Sequence, residues 1–352
     1  MMRINKLLLI LLLSAGLSRA EGVFSDLKAT AALDMVSPVY NSAEKTPLLN
    51  MRGAELMFYS PVDHLFDGQL NFAGHTEGGE FFWELHEAYL GSSKLLPRSR
   101  FRIGKFFLGV GRLNQIHQHD WPFISAPKAH ERFFADEGAA DVGLEYTYLL
   151  PTENFIEITA GVTNGYCYGH CHGAGQRPPR PLTYLHPSIF FEGDTGGTLL
   201  GLSYLNRSET GGVTTHLVGL DLTHKRRAAK VLRWLHQVEL YYERQGGDHV
   251  ETEHELGGYY LAQNGLDENW STGLRLDAFS HLNKKFQSTG ERRGDLDFAL
   301  VPMITYKSSE FATLRLAYTF SVDTTEGDAD RRDHLVELQY SFILGAHPAH
   351  DF

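Results

Sequence analysis

Residues His334–Leu344 read HLVELQYSFIL. Val336, Leu338, Tyr340, Phe342 and Leu344 fall on one face of an extended chain, and Glu337, Gln339 and Ser341 fall on the other. Successive strand side chains point to opposite faces, so this period of two predicts a strand with one apolar and one polar side. The pattern recurs upstream. In Glu310–Ser321, Leu314, Leu316, Tyr318 and Phe320 oppose Thr313, Arg315 and Thr319. In Val231–Glu243, Trp234, Val238, Leu240 and Tyr242 oppose Arg233, Gln237, Glu239 and Tyr241. In Trp270–Ser280, Leu274 and Leu276 face away from Arg275 and Asp277. In Leu296–Tyr306, Phe298, Leu300, Pro302 and Ile304 oppose Asp297, Ala299 and Met303.

A soluble β-sandwich alternates in the same way, so three further features decide. The runs are about ten to twelve residues long, enough for a tilted strand to span a bilayer. Aromatics gather toward the ends of the apolar faces, as in interfacial girdles. The polar faces carry both acids and arginines, which suit a watery interior and would be costly in a dry core. The class that fits is an all-β, transmembrane, antiparallel up-and-down barrel. About sixteen runs can be counted, beginning near residues 27, 51, 65, 80, 100, 141, 155, 186, 198, 213, 232, 253, 270, 295, 310 and 333; an even number is what such barrels require.

The start of the chain fits export. Arg3 and Lys6 precede the apolar run Leu7–Leu13, and Ser18-Arg19-Ala20 supplies a cleavage junction, so residues 1–20 are expected to be a signal peptide. The run is too short for a spanning helix, and no cysteine at the junction invites lipidation. The barrel is then expected over 21–344, with 345–352 as a C-terminal extension that ends in Phe352, an aromatic of the kind that outer-membrane assembly machinery reads. The whole chain carries a formal charge of −11, and losing Arg3, Lys6 and Arg19 with the leader makes the remainder still more acidic. Nucleic acid is thereby excluded as a partner. Outer-membrane lipid and small solutes or divalent metal remain.

If the first strand rises from the periplasm, the even-numbered junctions should be short turns, as in SPVDH, LPTEN, EGDTGG and KSSE. Several outward junctions are long: 107–140, 162–185 (with 163–185 an expected extracellular loop), 280–294 and 322–333. The first reads FLGVGRLNQIHQHDWPFISAPKAHERFFADEGAA. Its aromatics argue against disorder, and a long, partly apolar loop on a water-filled barrel can pack inward. It is expected to fold into the lumen as a constriction, lined by Arg112, Asn114, His117, His119, Asp120, Trp121, Lys128 and Arg132. Lumenal charges are expected at Arg233, Glu239, Arg275, Asp277, Asp295, Asp297, Arg315 and Glu337. Acids outnumber arginines there by five to three, a weak lean toward cations, while Arg112, Lys128 and Arg132 on the loop pull toward anions.

Eighteen histidines are a high share for this length. His117-x-His119-Asp120 has the residue types of a zinc or copper site. Cys167, His170, Cys171 and His172 form a second candidate set, His347 and His350 in the tail a third, and His249 and His254 sit among acids. Each has a plainer reading. Histidines in polar loops are more often hydrogen-bonded than ligated, and Cys167 and Cys171, the two cysteines of an exported chain, could equally form a disulfide. No cofactor is required by any of this; Zn2+ at the loop histidines is an open alternative.

RIGKFFLGVGRLNQIHQHDWPF (102–123), DEGAADVGLEYTYLLP (136–151) and LGAHPAHDF (344–352) resemble the zinc-regulated outer-membrane porins, relatives of the phosphate-selective porin O and P-like channels. The resemblance implies a sixteen-stranded channel in the outer membrane of a Gram-negative bacterium, assembled as a homotrimer, and a link to zinc or another divalent metal. Passive diffusion of small hydrophilic solutes or ions is the leading expectation. An enzyme is disfavoured: no lipase-like HxSNGxS run is present, and the neighbouring pairs His119-Asp120 and His130-Glu131 point apart on extended backbone. A non-conducting barrel that binds metal or a surface partner through its outward loops is the alternative.

Overall fold

The computed structural model describes residues 26–42, 50–77, 80–135, 137–166, 168, 177–209, 211–247, 250–285, 292–324 and 331–345. The leader, the set at Cys167–His172, His249 and the tail histidines His347 and His350 therefore lie outside the described residues, as does the proposed disulfide.

Sixteen strands close into one barrel in which each pairs antiparallel with its sequence neighbours and the last pairs with the first. They are β1 (Lys28–Asn41), β2 (Asn50–Pro61), β3 (Asp67–Glu77), β4 (Glu80–Ser92), β5 (Ser99–Phe107), β6 (Ala140–Leu149), β7 (Phe155–Thr163), β8 (Leu182–Gly193), β9 (Gly196–Ser208), β10 (Thr214–Ala228), β11 (Val231–Gly247), β12 (Val250–Gly265), β13 (Trp270–His281), β14 (Asp297–Ser309), β15 (Ala312–Asp323) and β16 (Arg331–Gly345). A two-residue ladder, Lys284–Lys285 with Arg292–Arg293, stands apart in the β13–β14 junction. Closure removes every free sheet edge, which is the condition for strands to cross a bilayer.

The expected faces are the observed ones. Val218, Leu240, Leu274, Leu316 and Leu338 stand exposed on the outside, while Gln237, Glu239, Tyr241, Arg315 and Gln339 are buried inside. An apolar belt of this kind is a lipid-facing surface, which sets the barrel in an outer membrane. The even junctions are all short. Two are built alike: Asp63 Oδ1 accepts the N–H groups of Leu65 (2.7 Å) and Phe66 (2.9 Å), and Asp267 Oδ1 accepts those of Asn269 (2.8 Å) and Trp270 (2.7 Å). These Asx turns hold both carboxyls below the usual carboxylate range, because the N–H donors favour the charged form.

Among the described residues, five histidines sit on the outer face. His216, His254 and His334, near the outward ends of their strands, bond the Tyr204, Tyr242 and Tyr318 hydroxyls at 2.9, 2.6 and 2.7 Å. At the opposite rim His236 bonds Tyr260 at 2.8 Å, beside His224. Each imidazole thus satisfies its polar edge within an aromatic girdle. His254, singled out above for its acidic neighbours, belongs to this girdle.

The 108–139 segment turns into the lumen. It carries two short 3-10 turns (Leu113–Gln115 and Gln118–Asp120) and a helix, α1 (Lys128–Phe134). Two apolar clusters form between it and the wall. Leu113, Trp121, Phe123 and Ile124 pack on Tyr259, Leu261, Val301 and Met303. Leu108, Val110, Phe133 and Phe134 pack on Leu182, Leu205, Leu217 and Tyr241. The barrel thus has a core inside its lumen, which a pattern of polar inward residues did not foretell.

Candidate functional site

The site is the interface between this loop and the inner wall, built by polar wall residues that hold the loop's backbone and side chains. Gly111 starts it. Its φ of 63° lies in the left-handed region, and a side chain there would strike Tyr241 Oη and Glu239 Oε2. Gly111 N–H donates to Ser203 Oγ (2.9 Å), and Glu239 accepts the N–H groups of Leu113 (2.8 Å) and Arg112 (3.3 Å) and the hydroxyl of Tyr259 (2.7 Å). Tyr241 also donates to Glu239. Further along, Arg315 reaches Trp121 O (3.3 Å), Arg275 donates to Ser125 O and to its Oγ (3.1 Å), and Arg52 donates to Ile124 O. In α1, Lys128 pairs with Asp297 (3.1 Å), and Arg132 pairs with Glu255 through two donors (2.7 and 3.1 Å). His281 joins Glu255 (3.1 Å) to Asp295 (2.8 Å).

Two residues expected to line the constriction are instead buried. Trp121 is 2% exposed, with its indole N–H on Ile116 O (2.8 Å), and anchors the loop rather than an opening. Asn114 is 1% exposed and ties the loop's two ends together: its amide donates to Leu108 O (2.8 Å) and Ala139 O (3.2 Å) and accepts from Ala139 N–H (2.6 Å). The lumenal set is corrected in the same sense. Glu239, Arg275, Asp277 and Arg315 point inward but lie beneath the loop, and Arg275 is bonded to Asp277 (2.8 Å). Asp295 and Asp297 are engaged by His281 and Lys128. Arg233 is exposed at the barrel end and donates to Gly265 O and Leu266 O, both at 3.0 Å. Glu337 faces inward. The physical reason is common to all: alternation fixes which way a side chain points and says nothing about what occupies the space there.

His117, His119 and Asp120 are brought together, but with carboxylates. His117 lies 3.1 Å from Glu55 and 3.0 Å from Glu87, and His119 lies 2.7 Å from Glu55 and 3.0 Å from Asp120. Burial alone would push both imidazoles down; the Glu55 charge and the hydrogen bonds around them outweigh it. His117 is held well above the usual histidine range and His119 is raised to about 10. Both are cations clamped by wall acids. His130 is the opposite case: buried between Trp121 (ring centroids 5.1 Å) and Phe134 (5.5 Å), it has no hydrogen-bond partner on either nitrogen. Burial pushes it down to about 3.

Sequence reasoning missed the second histidine–carboxylate group. His75 on β3, Glu84 and His86 on β4 and Glu137 at the loop's return come within 4.8 Å of one another through their ligand atoms. A register shift in the β3–β4 ladder pairs Asn71 with Glu87 and Phe72 with Leu85, so His86 is an extra residue and both His86 and Glu87 are turned inward. A bulge re-aims side chains in this way. Strict alternation would have set His86 and Glu87 on opposite faces, which is why no pattern revealed the group.

No family model matches the chain. It is 25% identical over 332 residues to an uncharacterized protein of Aquifex aeolicus (strain VF5), covering 86% of this chain and 70% of that one. Its fold is similar to that of the anion-selective porin from Comamonas acidovorans, with TM-score 0.62 and 10% identity over 90% of this chain and 99% of that chain. The outer membrane channel DcaP of Acinetobacter baumannii gives TM-score 0.62 and 10% identity, over 91% and 96%. OmpT, an outer membrane protein of Vibrio cholerae in trimer form, gives 0.59 and 11%, over 90% and 99%. The chain is a sixteen-stranded barrel of the outer-membrane porin fold.

Proposed function

We propose that this protein is an outer-membrane porin for passive diffusion of small hydrophilic solutes or ions, in which the 108–139 loop sets how wide the lumen opens. The observation that carries this reading is the inward loop, fastened to the wall from β2 to β15 by ion pairs and backbone hydrogen bonds. A loop seated on two apolar clusters and tied to the wall by side-chain and backbone hydrogen bonds is a constriction that can loosen without unfolding the barrel. The reading assigns no catalysis. It includes export by a cleaved leader, insertion by the outer-membrane assembly machinery, and a homotrimer, the form in which the similar OmpT was solved. Membership of the zinc-regulated, phosphate-selective-like porins also belongs here and rests on the loop and tail motifs.

Single-channel recording in planar bilayers tests it. Stepwise conductance from the purified protein is the expected result; silence from the wild type and from loop-loosened variants alike would refute it. The same loop contacts favour a second reading, a barrel that holds metal or a partner at its outward face without conducting. Silence in the wild type with conductance in the variants would mark a gated channel.

A further inference from the structure

We propose that His75, Glu84, His86 and Glu137 form a binding site for a divalent transition-metal ion of the zinc type, which staples the return of the constriction loop to the β3–β4 wall. Four features carry this. The first is the donor set, two imidazoles and two carboxylates whose ligand atoms all lie within 4.8 Å of one another. Tetrahedral zinc with bonds near 2.0–2.1 Å needs donors roughly 3.3 Å apart. Two of the observed separations are already close: His86 Nε2 lies 3.0 Å from Glu84 and 3.1 Å from Glu137, with His75 Nδ1 to Glu137 at 3.9 Å.

Second, the backbone delivers the ligands: the β4 bulge turns His86 inward beside Glu84, and His75 stands on the adjacent strand. Third, a cavity of about 20 Å³ lies against the group, lined by His75, His86 and Glu137 together with Glu55 and His117. That is room for one water, or for the ion on its way in. Fourth, the charges balance. Two carboxylates and two neutral imidazoles compensate a divalent cation in a partly buried place, where an unmatched charge would be costly. The mixed nitrogen and oxygen donors exclude the hard cations: calcium takes six to eight oxygens and magnesium keeps its waters.

His86 Nε2 lies between the Glu84 and Glu137 carboxylates. Glu137 is the ligand from the loop; the other three belong to the wall. The site lies near the outward ends of β3 and β4 and does not use His117 and His119, which are engaged with Glu55 and Glu87, or Asp120, which is engaged with His119.

Calorimetric titration of the folded barrel in detergent with zinc chloride tests the site without needing conductance, so a failure of the channel reading leaves this result intact, and the reverse. The expected result is about one ion per chain. Cobalt in place of zinc should give the visible absorption of a four- or five-coordinate ion. H75A/H86A and the isosteric E84Q/E137Q should each weaken binding more than about tenfold. The girdle variant H216F/H254F/H334F should bind as the wild type does, and heat-modifiable migration on gels confirms that each variant is folded. No zinc heat in the wild type overturns the proposal. So does binding that survives both ligand variants, or is lost instead with H170A/H172A or H117A/H119A.

Discussion

Glu239 Oε1 accepts the backbone N–H of Leu113 at 2.8 Å, so a wall carboxylate caps the first turn of the inward loop. The same side chain receives Arg112 N–H and the hydroxyls of Tyr241 and Tyr259. Replacing it strands buried donors, and each stranded donor costs about 1–3 kcal/mol. Glu239→Ala should leave a folded barrel with a loosened loop, seen as larger or noisier conductance steps. Steps identical to the wild type would show that this capping does not hold the loop.

Gly111→Ala attacks the same joint through the backbone. The left-handed φ of 63° disfavours a side chain, and the added carbon collides with Tyr241 and Glu239. Limited proteolysis should cut the variant between residues 108 and 139 while sparing the strands. A loop as resistant as the wild type's would contradict the assigned geometry.

The His117–His119 clamp has a defined pH signature. Both imidazoles have folded values raised above the ordinary 6.5, His119 to about 10. A raised value means that the stabilisation is fully present below about pH 6.5 and is lost as pH rises through the folded value. The loop should be held at neutral pH and freed progressively toward about pH 10. Proteolysis of the loop against pH, compared with H117N/H119N, measures this; equal profiles would dismiss the clamp.

His130 predicts the acid limb. Its folded value is depressed to about 3, so its contribution is favourable to the packed loop above about pH 6.5 and is lost as pH falls from there toward 3. His130→Phe removes two buried, unpartnered nitrogens from an aromatic setting. The variant should hold the loop about 1 kcal/mol more tightly and flatten the change between pH 6 and 4. Greater acid sensitivity in the variant would reverse the assignment.

On the lipid side, Leu240 is 48% exposed near the middle of β11. Leu240→Arg should cost about 2–4 kcal/mol, as for a cation at the bilayer midplane. Unfolding in urea from lipid vesicles checks it; an unchanged midpoint would mean that this face does not meet lipid.

The alternation in HLVELQYSFIL and its counterparts was enough for the wall. Expected strand starts at 80, 155 and 270 coincide with β4, β7 and β13, and most others fall within a few residues. Period two is local: one residue and its neighbour decide the face, and lipid outside requires an apolar belt at every strand. The inward turn of the 107–140 loop was legible for a similar reason, since a long aromatic segment must bury itself somewhere. What fills the lumen was not legible. Trp121, Asn114, Glu239 and Arg315 take their roles from contacts between residues far apart in sequence, and no local pattern encodes those. The group at His75, Glu84, His86 and Glu137 depends on one extra residue in β4 and on where a distant loop returns. Those are facts of closure, fixed when the chain meets itself around the barrel.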